Sequence, residues 1–327
     1  MLKLKNIKAL NIEASSKCQA NCPFCSRRQK KRPFGDHLIS FADFKLFPTP
    51  FIEQLRRITF GGNFGDLCCN PDMPEIAAYI REHNPDIVLE GETNGSFQSR
   101  AWWKSLGASF NKGCMVFSLD GLSDTHRLHR KGTDFHTIIR NLQAFVSAGG
   151  IAHWKFIVFE QNEHQIEDAE RLAEKIGCSR FYVMSSRDNN QELGKAKKVD
   201  FEIKREMFYA NWANLPEEER HAVCKPLENR SLYIAADGTI HPCCLAHCMY
   251  ITEHNSKFRF IVPIIEKYYD DINFKTTPIE DIVSGPYFKE VLAESKTNEY
   301  CSIKCNRHKR KIRRETVLHD RFFDPNP

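Results

Sequence analysis

The sequence contains no apolar run that approaches the roughly 18–20 residues needed to cross a bilayer. Its first residues, Met-Leu-Lys-Leu-Lys, lack the apolar stretch and the small-residue cleavage site of a secretory signal peptide. A secreted disulfide framework is therefore not expected, and the 13 cysteines are an odd number in a large chain of 327 residues. We expect a cytoplasmic protein without membrane contact, in which clustered thiols bind metal.

The sequence also has little net charge, a formal +5, and no RNA- or DNA-binding motif. Much of the excess lies at 307–314, which reads Arg-His-Lys-Arg-Lys-Ile-Arg-Arg. We expect this run to form a solvated helical face, the alternative being contact with nucleic acid or an acidic partner. Nucleic acid is therefore not the expected partner of the chain.

Apolar runs and helical patterns alternate through the first 185 residues. Six runs are predicted to be strands, at 9–14, 57–60, 87–90, 115–119, 154–159 and 180–184. One helical pattern runs from Asp134 to Gly149, and another from Asn162, a candidate N-cap, to Gly177. This alternation indicates parallel βαβ units, and six strands fall short of the eight that close a barrel. We predict an α/β fold, an open partial (β/α)6 barrel that binds ligands beyond the carboxyl ends of its strands.

The pattern changes after about residue 190, which predicts a division of the chain into four parts. The parts are a barrel at 1–190, a linker and bridging helix at 191–222, a second α+β domain at 223–310 and a basic tail at 311–327. A hairpin at 232–240, turned at Asp237-Gly238, is predicted within the second domain.

Three cysteines, Cys18, Cys22 and Cys25, follow the first predicted strand with three and two residues between them. Three thiolates on one tight loop can ligate three irons of a cubane cluster and leave the fourth iron open. A reacting cofactor requires an open iron, because a fully ligated cluster can only relay electrons. The alternative is zinc, but structural zinc usually takes four ligands in paired motifs, and this triad has no fourth partner nearby.

This motif resembles the signature of the radical S-adenosylmethionine (SAM) superfamily, in which an aromatic residue precedes the third cysteine, as Phe24 does here. The resemblance implies that the three cysteines hold a [4Fe–4S] cluster whose open iron chelates SAM. It also implies reductive cleavage of SAM to a 5′-deoxyadenosyl radical, which abstracts a hydrogen atom from a substrate. An electron donor such as flavodoxin or ferredoxin is the implied protein partner.

Further segments match the superfamily in order along the chain. The resemblance implies SAM contacts for Gly61, Gly62 and Asn63 after the second strand, Thr93 and Asn94 after the third, Ser118 and Asp120 after the fourth, and Arg130. Glycines let a ligand approach the backbone, and a guanidinium suits the SAM carboxylate. The acidic residue that usually follows the glycines is absent; Asn63-Phe64-Gly65-Asp66 stands there. Singly, these are ordinary turns and an ordinary surface arginine, and their shared order favours a SAM site.

A second group of cysteines resembles the C-terminal twitch or SPASM extension of radical SAM enzymes. Its members are Cys224, Cys243, Cys301 and Cys305. The first is followed by thirteen residues, Gly238, four more residues and the second. The resemblance, best to the single-cluster twitch form, implies that these four ligate one auxiliary [4Fe–4S] cluster. Two alternatives remain: Cys244 or Cys248 replaces one of the four, or the region binds zinc.

The implied activity is that of an enzyme acting on a peptide or small molecule, with the substrate itself left open. Full ligation of the auxiliary cluster suits electron transfer, so oxidation or cross-linking is the favoured outcome. The alternative outcome is epimerisation, with Cys244 as the candidate hydrogen donor. A rival from another class is a non-catalytic zinc- or iron–sulfur-binding protein that acts on nucleic acid through its basic tail.

Overall fold

The computed structural model describes residues 2–23, 25–186, 193–197, 224–253, 258–305 and 317–323. Phe24, most of the predicted linker and bridging helix, and the basic run at 307–314 lie outside the described residues. Within the described ranges, no helix combines the length and apolarity that a membrane crossing requires.

The described strands form one sheet of nine. They are β1 (Ala9–Ile12), β2 (Arg57–Phe60), β3 (Val88–Thr93), β4 (Gly113–Ser118), β5 (Ala152–Val158), β6 (Arg180–Ser185), β7 (Ser231–Ile234), β8 (Ile240–His241) and β9 (Val317–Phe322). Their order across the sheet is β8-β7-β1-β2-β3-β4-β5-β6-β9. Neighbours from β7 to β6 are parallel, whereas β8 and β9 pair antiparallel at the edges. The predicted α/β class is confirmed, with the six predicted strands at the centre of a mostly parallel sheet.

Helices separate these strands. Before β7 they are α1 (Phe41–Phe44), α2 (Thr49–Gln54), α3 (Met73–His83), α4 (Arg100–Gly107), α5 (His126–His129), α6 (Phe135–Ser147) and α7 (Ile166–Ile176). From residue 224 onward they are α8 (Lys225–Glu228), α9 (Cys244–Thr252), α10 (Ile261–Tyr268), α11 (Ile279–Ser284), α12 (Pro286–Thr297) and α13 (Glu299–Cys305). The alternation of strand and helix as far as β6 is the βαβ crossover pattern of parallel sheets.

The two faces of the central sheet differ in polarity. On β5, Trp154 and Phe156 are fully buried, whereas Lys155 and Ile157 between them are only half-buried. Successive side chains of a strand point to opposite faces, so the first pair marks the outer face and the second the inner face. A parallel sheet covered on both sides would be apolar throughout. The half-buried inner face is therefore the one on which we expect a polar ligand.

The hairpin predicted at 232–240 forms, and its turn residue Gly238 has a φ of +99°. Its first strand, however, pairs in parallel with β1, with Tyr233 opposite Asn11. The hairpin thus extends the barrel sheet. Sequence analysis also missed β9, which lies in the segment expected to be a basic tail and pairs with β6.

Candidate functional site

The first cysteine loop runs from the end of β1 to a short helical turn. Cys18, Cys22 and Cys25 lie on this loop with partly exposed side chains. The Arg27 guanidinium donates to the carbonyl oxygens of Cys18 and Ala20, which ties the far end of the loop to its start. The three thiols therefore lie on a loop whose two ends are joined by hydrogen bonds from one side chain.

Burial controls the protonation of two of these thiols. It raises the pKa of Cys18 to about 12, and it raises the pKa of Cys22 although the Arg130 guanidinium acts in the opposite direction. The Asn94 side-chain amide donates to the Cys18 sulfur at 3.5 Å. Both thiols are thus protonated near neutral pH, and metal ligation would release their protons. A cation and an amide donor beside two of the three sulfurs suit thiolate ligands.

The glycine-rich segment follows β2, and its glycines differ in what surrounds them. A Cβ at Gly61 would meet no atom of the described residues within 4 Å. A Cβ at Gly62 would overlap the Glu13 side chain. A Cβ at Gly65 would overlap the Ser15 carbonyl oxygen. Of the three, Gly61 alone borders open space, as a backbone that contacts a ligand must.

Asn63, predicted to contact SAM, is committed to protein partners. Its side-chain amide donates to the Tyr233 hydroxyl at 3.2 Å and to the Cys244 carbonyl oxygen at 2.9 Å. Its own carbonyl oxygen accepts from the Ser26 hydroxyl at 2.6 Å. The residue therefore connects the first cysteine loop to the helix that follows Cys243.

Asp66 holds the predicted T-N-G turn in place. Its Oδ1 accepts from the Thr93 hydroxyl at 2.7 Å, and its Oδ2 accepts from the backbone and side-chain nitrogens of Asn94 at 2.7 and 2.6 Å. Gly95 then adopts a φ of +69°, which glycine tolerates best. Sequence analysis noted Asp66 only as part of a departure from the family pattern. In the structure it orients the amide that reaches Cys18.

Asp120 forms the buried anionic centre beyond β4. Its Oδ2 lies 2.6 Å from His129 Nδ1 and accepts from Arg130 Nε at 2.5 Å, and its Oδ1 accepts from Ile157 N at 2.8 Å. Burial alone would raise the pKa of Asp120, but the Arg130 and His129 charges outweigh it and hold the pKa well below its usual range. Arg130 also hydrogen-bonds Cys22. Asp120 is fully buried, so its contacts are with protein.

Ser118 ends β4 beside a charged pair. The Ser118 hydroxyl donates to Glu92 Oε1 at 3.5 Å. Glu92 in turn forms an ion pair with Lys155 on β5. Glu92 and Ser118 stand at the carboxyl ends of β3 and β4, where ligands of parallel sheets bind, and Lys155 lies opposite Ser118 on β5.

The second cysteine group surrounds one cavity. Its lining includes Cys224, Cys243, Cys301 and Cys305, together with apolar side chains such as Phe258, Ile261 and Val291. Cys224 and Cys243 directly precede α8 and α9, while Cys301 and Cys305 lie one turn apart on α13. Burial raises the pKa of Cys224 to about 11 and also raises the pKa of Cys301. In the described part of the chain, no three Cys, His, Asp or Glu side chains converge closely enough to hold a single metal ion.

Cys244 and Cys248 lie outside this cavity's described lining. They are one turn apart on α9, and burial raises the pKa of both thiols, of Cys248 to about 11. Cys248 packs against Phe64 of the glycine-rich segment. The part of α9 that carries these two thiols therefore contacts the glycine-rich segment after β2.

Two further residues of this region escaped sequence analysis. Glu13 is 1% exposed and binds the backbone of the glycine-rich segment. Tyr233 reaches it from β7. The signal for Glu13 was a carboxylate inside an apolar strand, since a buried charge needs partners. No local pattern marks Tyr233, because its partner is 220 positions away.

Comparison with known proteins gives two family matches. The radical SAM superfamily matches residues 12–176. The SPASM iron–sulfur cluster-binding domain matches residues 224–306. No curated protein matches the sequence.

Solved structures share the fold at low sequence identity. Streptococcus suis SuiB bound to precursor peptide SuiA aligns with a TM-score of 0.54 and 15% identity, over 96% of this chain and 77% of that chain. Native anSMEcpe with bound AdoMet and Cp18Cys peptide aligns with a TM-score of 0.54 and 14% identity, over 95% of this chain and 87% of that chain. At such identities the likeness is one of fold.

Proposed function

The chain belongs to the radical SAM superfamily, and on that basis we propose that it removes a hydrogen atom from a peptide or small molecule and oxidises or cross-links it. Membership makes the protein an enzyme that uses SAM and a [4Fe–4S] cluster, and its SPASM domain implies auxiliary iron–sulfur clusters. The observation that carries the proposal is the grouping of seven cysteines at two sites, three on one loop and four around one cavity.

We assign the cluster with the open iron to Cys18, Cys22 and Cys25. When bound, the reduced cluster supplies the electron that splits SAM into methionine and a 5′-deoxyadenosyl radical, which takes the substrate hydrogen. The chain's own part is to present three thiolates, to stabilise them through Arg130 and Asn94, and to keep the substrate C–H in reach. Phe24, beside the third cysteine, lies outside the described residues, and its role stays a prediction.

We assign SAM contacts to Gly61 and Arg130. Gly61 borders open space, and Arg130 keeps a buried counter-ion, Asp120, that fixes its guanidinium through Nε. A guanidinium held in this way suits the SAM carboxylate. The remaining predicted contacts have protein partners and take supporting roles in the proposal. These are Gly62, Asn63, Thr93, Asn94, Ser118 and Asp120.

We assign one auxiliary cluster to Cys224, Cys243, Cys301 and Cys305. A cluster with four protein ligands relays electrons, so it would accept the electron left on the substrate radical. A peptide substrate is supported by the two similar structures described above, SuiB bound to precursor peptide SuiA and anSMEcpe bound to the Cp18Cys peptide. The charged inner face, which carries Glu92 paired with Lys155, also suits a polar substrate. A flavodoxin- or ferredoxin-like donor would supply the first electron.

A second candidate reaction is epimerisation with Cys244 as hydrogen donor. The observation that favours it is that Cys244 stands outside the described cavity lining, and so is not needed as a ligand there. Its backbone is bonded to Asn63 of the glycine-rich segment. Solvent deuterium incorporated into product, lost in Cys244→Ala, would identify this reaction. A product that has lost two electrons relative to the substrate would instead identify oxidation or cross-linking, the first candidate reaction.

The proposal is tested by anaerobic purification and metal analysis. Two four-iron clusters predict a brown protein with about eight iron and about eight sulfide per chain. With SAM and dithionite it should release 5′-deoxyadenosine. A colourless protein that holds zinc and leaves SAM intact would instead support a non-catalytic zinc-binding role.

A further inference from the structure

Glu13 is a buried carboxylate at the end of β1 that has no role in the proposed chemistry. Its Oε1 accepts hydrogen bonds from Phe64 N at 2.6 Å and Gly65 N at 2.9 Å. Its Oε2 accepts from the Tyr233 hydroxyl at 2.7 Å. Short bonds from several donors to one carboxylate are among the stronger hydrogen bonds in proteins. Glu13 therefore binds the glycine-rich segment firmly through its main chain.

The same side chain explains the second glycine of the segment. A Cβ at Gly62 would overlap the Glu13 Cγ and Oε1 atoms, whereas a Cβ at Gly61 would have open space around it. Glu13 thus packs directly against Gly62 while the neighbouring residue borders the space available to a ligand. Any shift of Glu13 would move the backbone that we assign to SAM.

The support of Glu13 comes from the C-terminal part of the chain. Tyr233 lies on β7, and its hydroxyl also accepts from the Asn63 side chain at 3.2 Å. His247 on α9 places Nδ1 3.9 Å from Glu13 Oε2, and both of its buried ring nitrogens lack a hydrogen-bond partner among the described residues. The carboxylate thus meets the segment on one oxygen and the C-terminal part of the chain on the other.

We propose that Glu13 is a positioning residue for SAM, which holds the segment from Gly61 to Gly65 in its binding conformation and couples it to the C-terminal domain through Tyr233. The inference rests on the proposed function, since it presumes that SAM binds at this segment. Removing the carboxylate would leave two buried N–H groups without an acceptor, and the segment would rearrange to satisfy them. SAM affinity should therefore depend on a tyrosine of the C-terminal domain.

The test compares Glu13→Ala, Glu13→Gln and Tyr233→Phe, with Tyr269→Phe as the matched control. The control removes a tyrosine hydroxyl that donates to another buried carboxylate, Asp237. SAM binding to the reduced holoenzyme is followed by the change in its EPR spectrum, and KM and kcat by 5′-deoxyadenosine release. Glu13→Ala should raise Kd and KM for SAM about tenfold or more, with iron content and kcat nearly unchanged.

Glutamine keeps an oxygen acceptor for the two amides, so Glu13→Gln should restore SAM affinity to within about threefold of the wild type. Tyr233→Phe should weaken it by about threefold or more, and Tyr269→Phe should leave it unchanged. Wild-type affinity in an iron-loaded Glu13→Ala would overturn the proposal. If that variant does not fold, wild-type affinity in Tyr233→Phe would do the same. A wild-type enzyme that binds no SAM would instead refute the proposed function.

Discussion

Asp120 and Arg130 form a buried ion pair at the end of β4, next to the first cysteine loop. The pair was predicted as two independent SAM contacts. In the structure the carboxylate is fully buried and surrounded by donors, while the guanidinium also reaches Cys22. A buried charge that loses its partner is costly, so each member depends on the other. We therefore expect Asp120 to act through Arg130.

Replacing Asp120 with asparagine should cost about 3–5 kcal/mol of unfolding free energy, because Arg130 loses its buried counter-ion. The pKa of Asp120 is depressed in the folded state, so its contribution is present above the unfolded pKa of about 4 and is lost as pH falls below it. Urea titration should therefore give unfolding free energies for Asp120→Asn and the wild type that differ by a constant amount above about pH 5. At about pH 3 the difference between the two free energies should be smaller.

The matched control is Asp86→Asn, which removes an exposed carboxylate paired with Lys112. Surface pairs contribute little, so its unfolding free energy should stay close to the wild type at each pH. Equal losses in the two variants would show that Asp120 is not the buried centre described above.

Adjacent cysteines on one turn should differ in their effect on metal content. Cys243 lines the cavity of the second group and Cys244 does not. Cys243→Ala should lower iron by about four per chain, whereas Cys244→Ala should leave it unchanged. Iron and sulfide assays on anaerobically purified protein decide this. An iron loss confined to Cys244→Ala would mean that Cys244 is the ligand.

Among the elements, the glycine-rich segment after β2 contains one glycine that borders open space and one that packs against protein. Gly61→Ala places a methyl group in open space, so the unfolding free energy should change by less than about 0.5 kcal/mol while KM for SAM rises. Gly62→Ala forces the new methyl against Glu13 and should destabilise the fold by about 1–3 kcal/mol. Urea unfolding and SAM kinetics measure the two effects separately. Equal destabilisation by both would contradict this distinction.

Helices α6 and α7 show how far local sequence reaches. Asp134 was predicted to start α6, and its side chain indeed accepts from Thr137 N at 2.8 Å. Asn162 was predicted to open the next helix, and it does precede the 3-10 turn Glu163–Gln165 that leads directly into α7, but its side chain makes no capping hydrogen bond. The Asn162 amide instead donates to the carbonyl oxygens of Asp120 and Ile157. Caps are local and readable, whereas a partner 42 positions away is set by the tertiary fold.

The strands also show that local sequence predicts an element but not its distant partners. The pattern of apolar residues predicted β1–β6, because each buried strand is a short apolar run in the sequence. It also located the hairpin of β7 and β8, but not the parallel pairing of β7 with β1, more than 200 positions apart. Register between distant strands depends on the assembled sheet, so a short stretch of sequence cannot predict it.

At the scale of the whole molecule, the two cysteine sites share one hydrogen-bonded framework. Ser26, which follows Cys25, donates to the Asn63 carbonyl oxygen, and the Asn63 amide donates to the carbonyl oxygen of Cys244. Cysteine spacing along the chain predicted the first site from ligands close in sequence, and resemblance to a known extension predicted the second, whose cysteines lie far apart in the chain. Neither could predict that they would be connected, because that connection spans 181 positions from Asn63.

The central claim is that three sulfurs on one loop leave an iron free for SAM. The most direct measurement is 5′-deoxyadenosine release from SAM and dithionite by a variant with Cys18→Ala, Cys22→Ala and Cys25→Ala together. The account predicts that release is abolished while about four iron per chain remain at the second group. Release at the wild-type rate from this variant would contradict it.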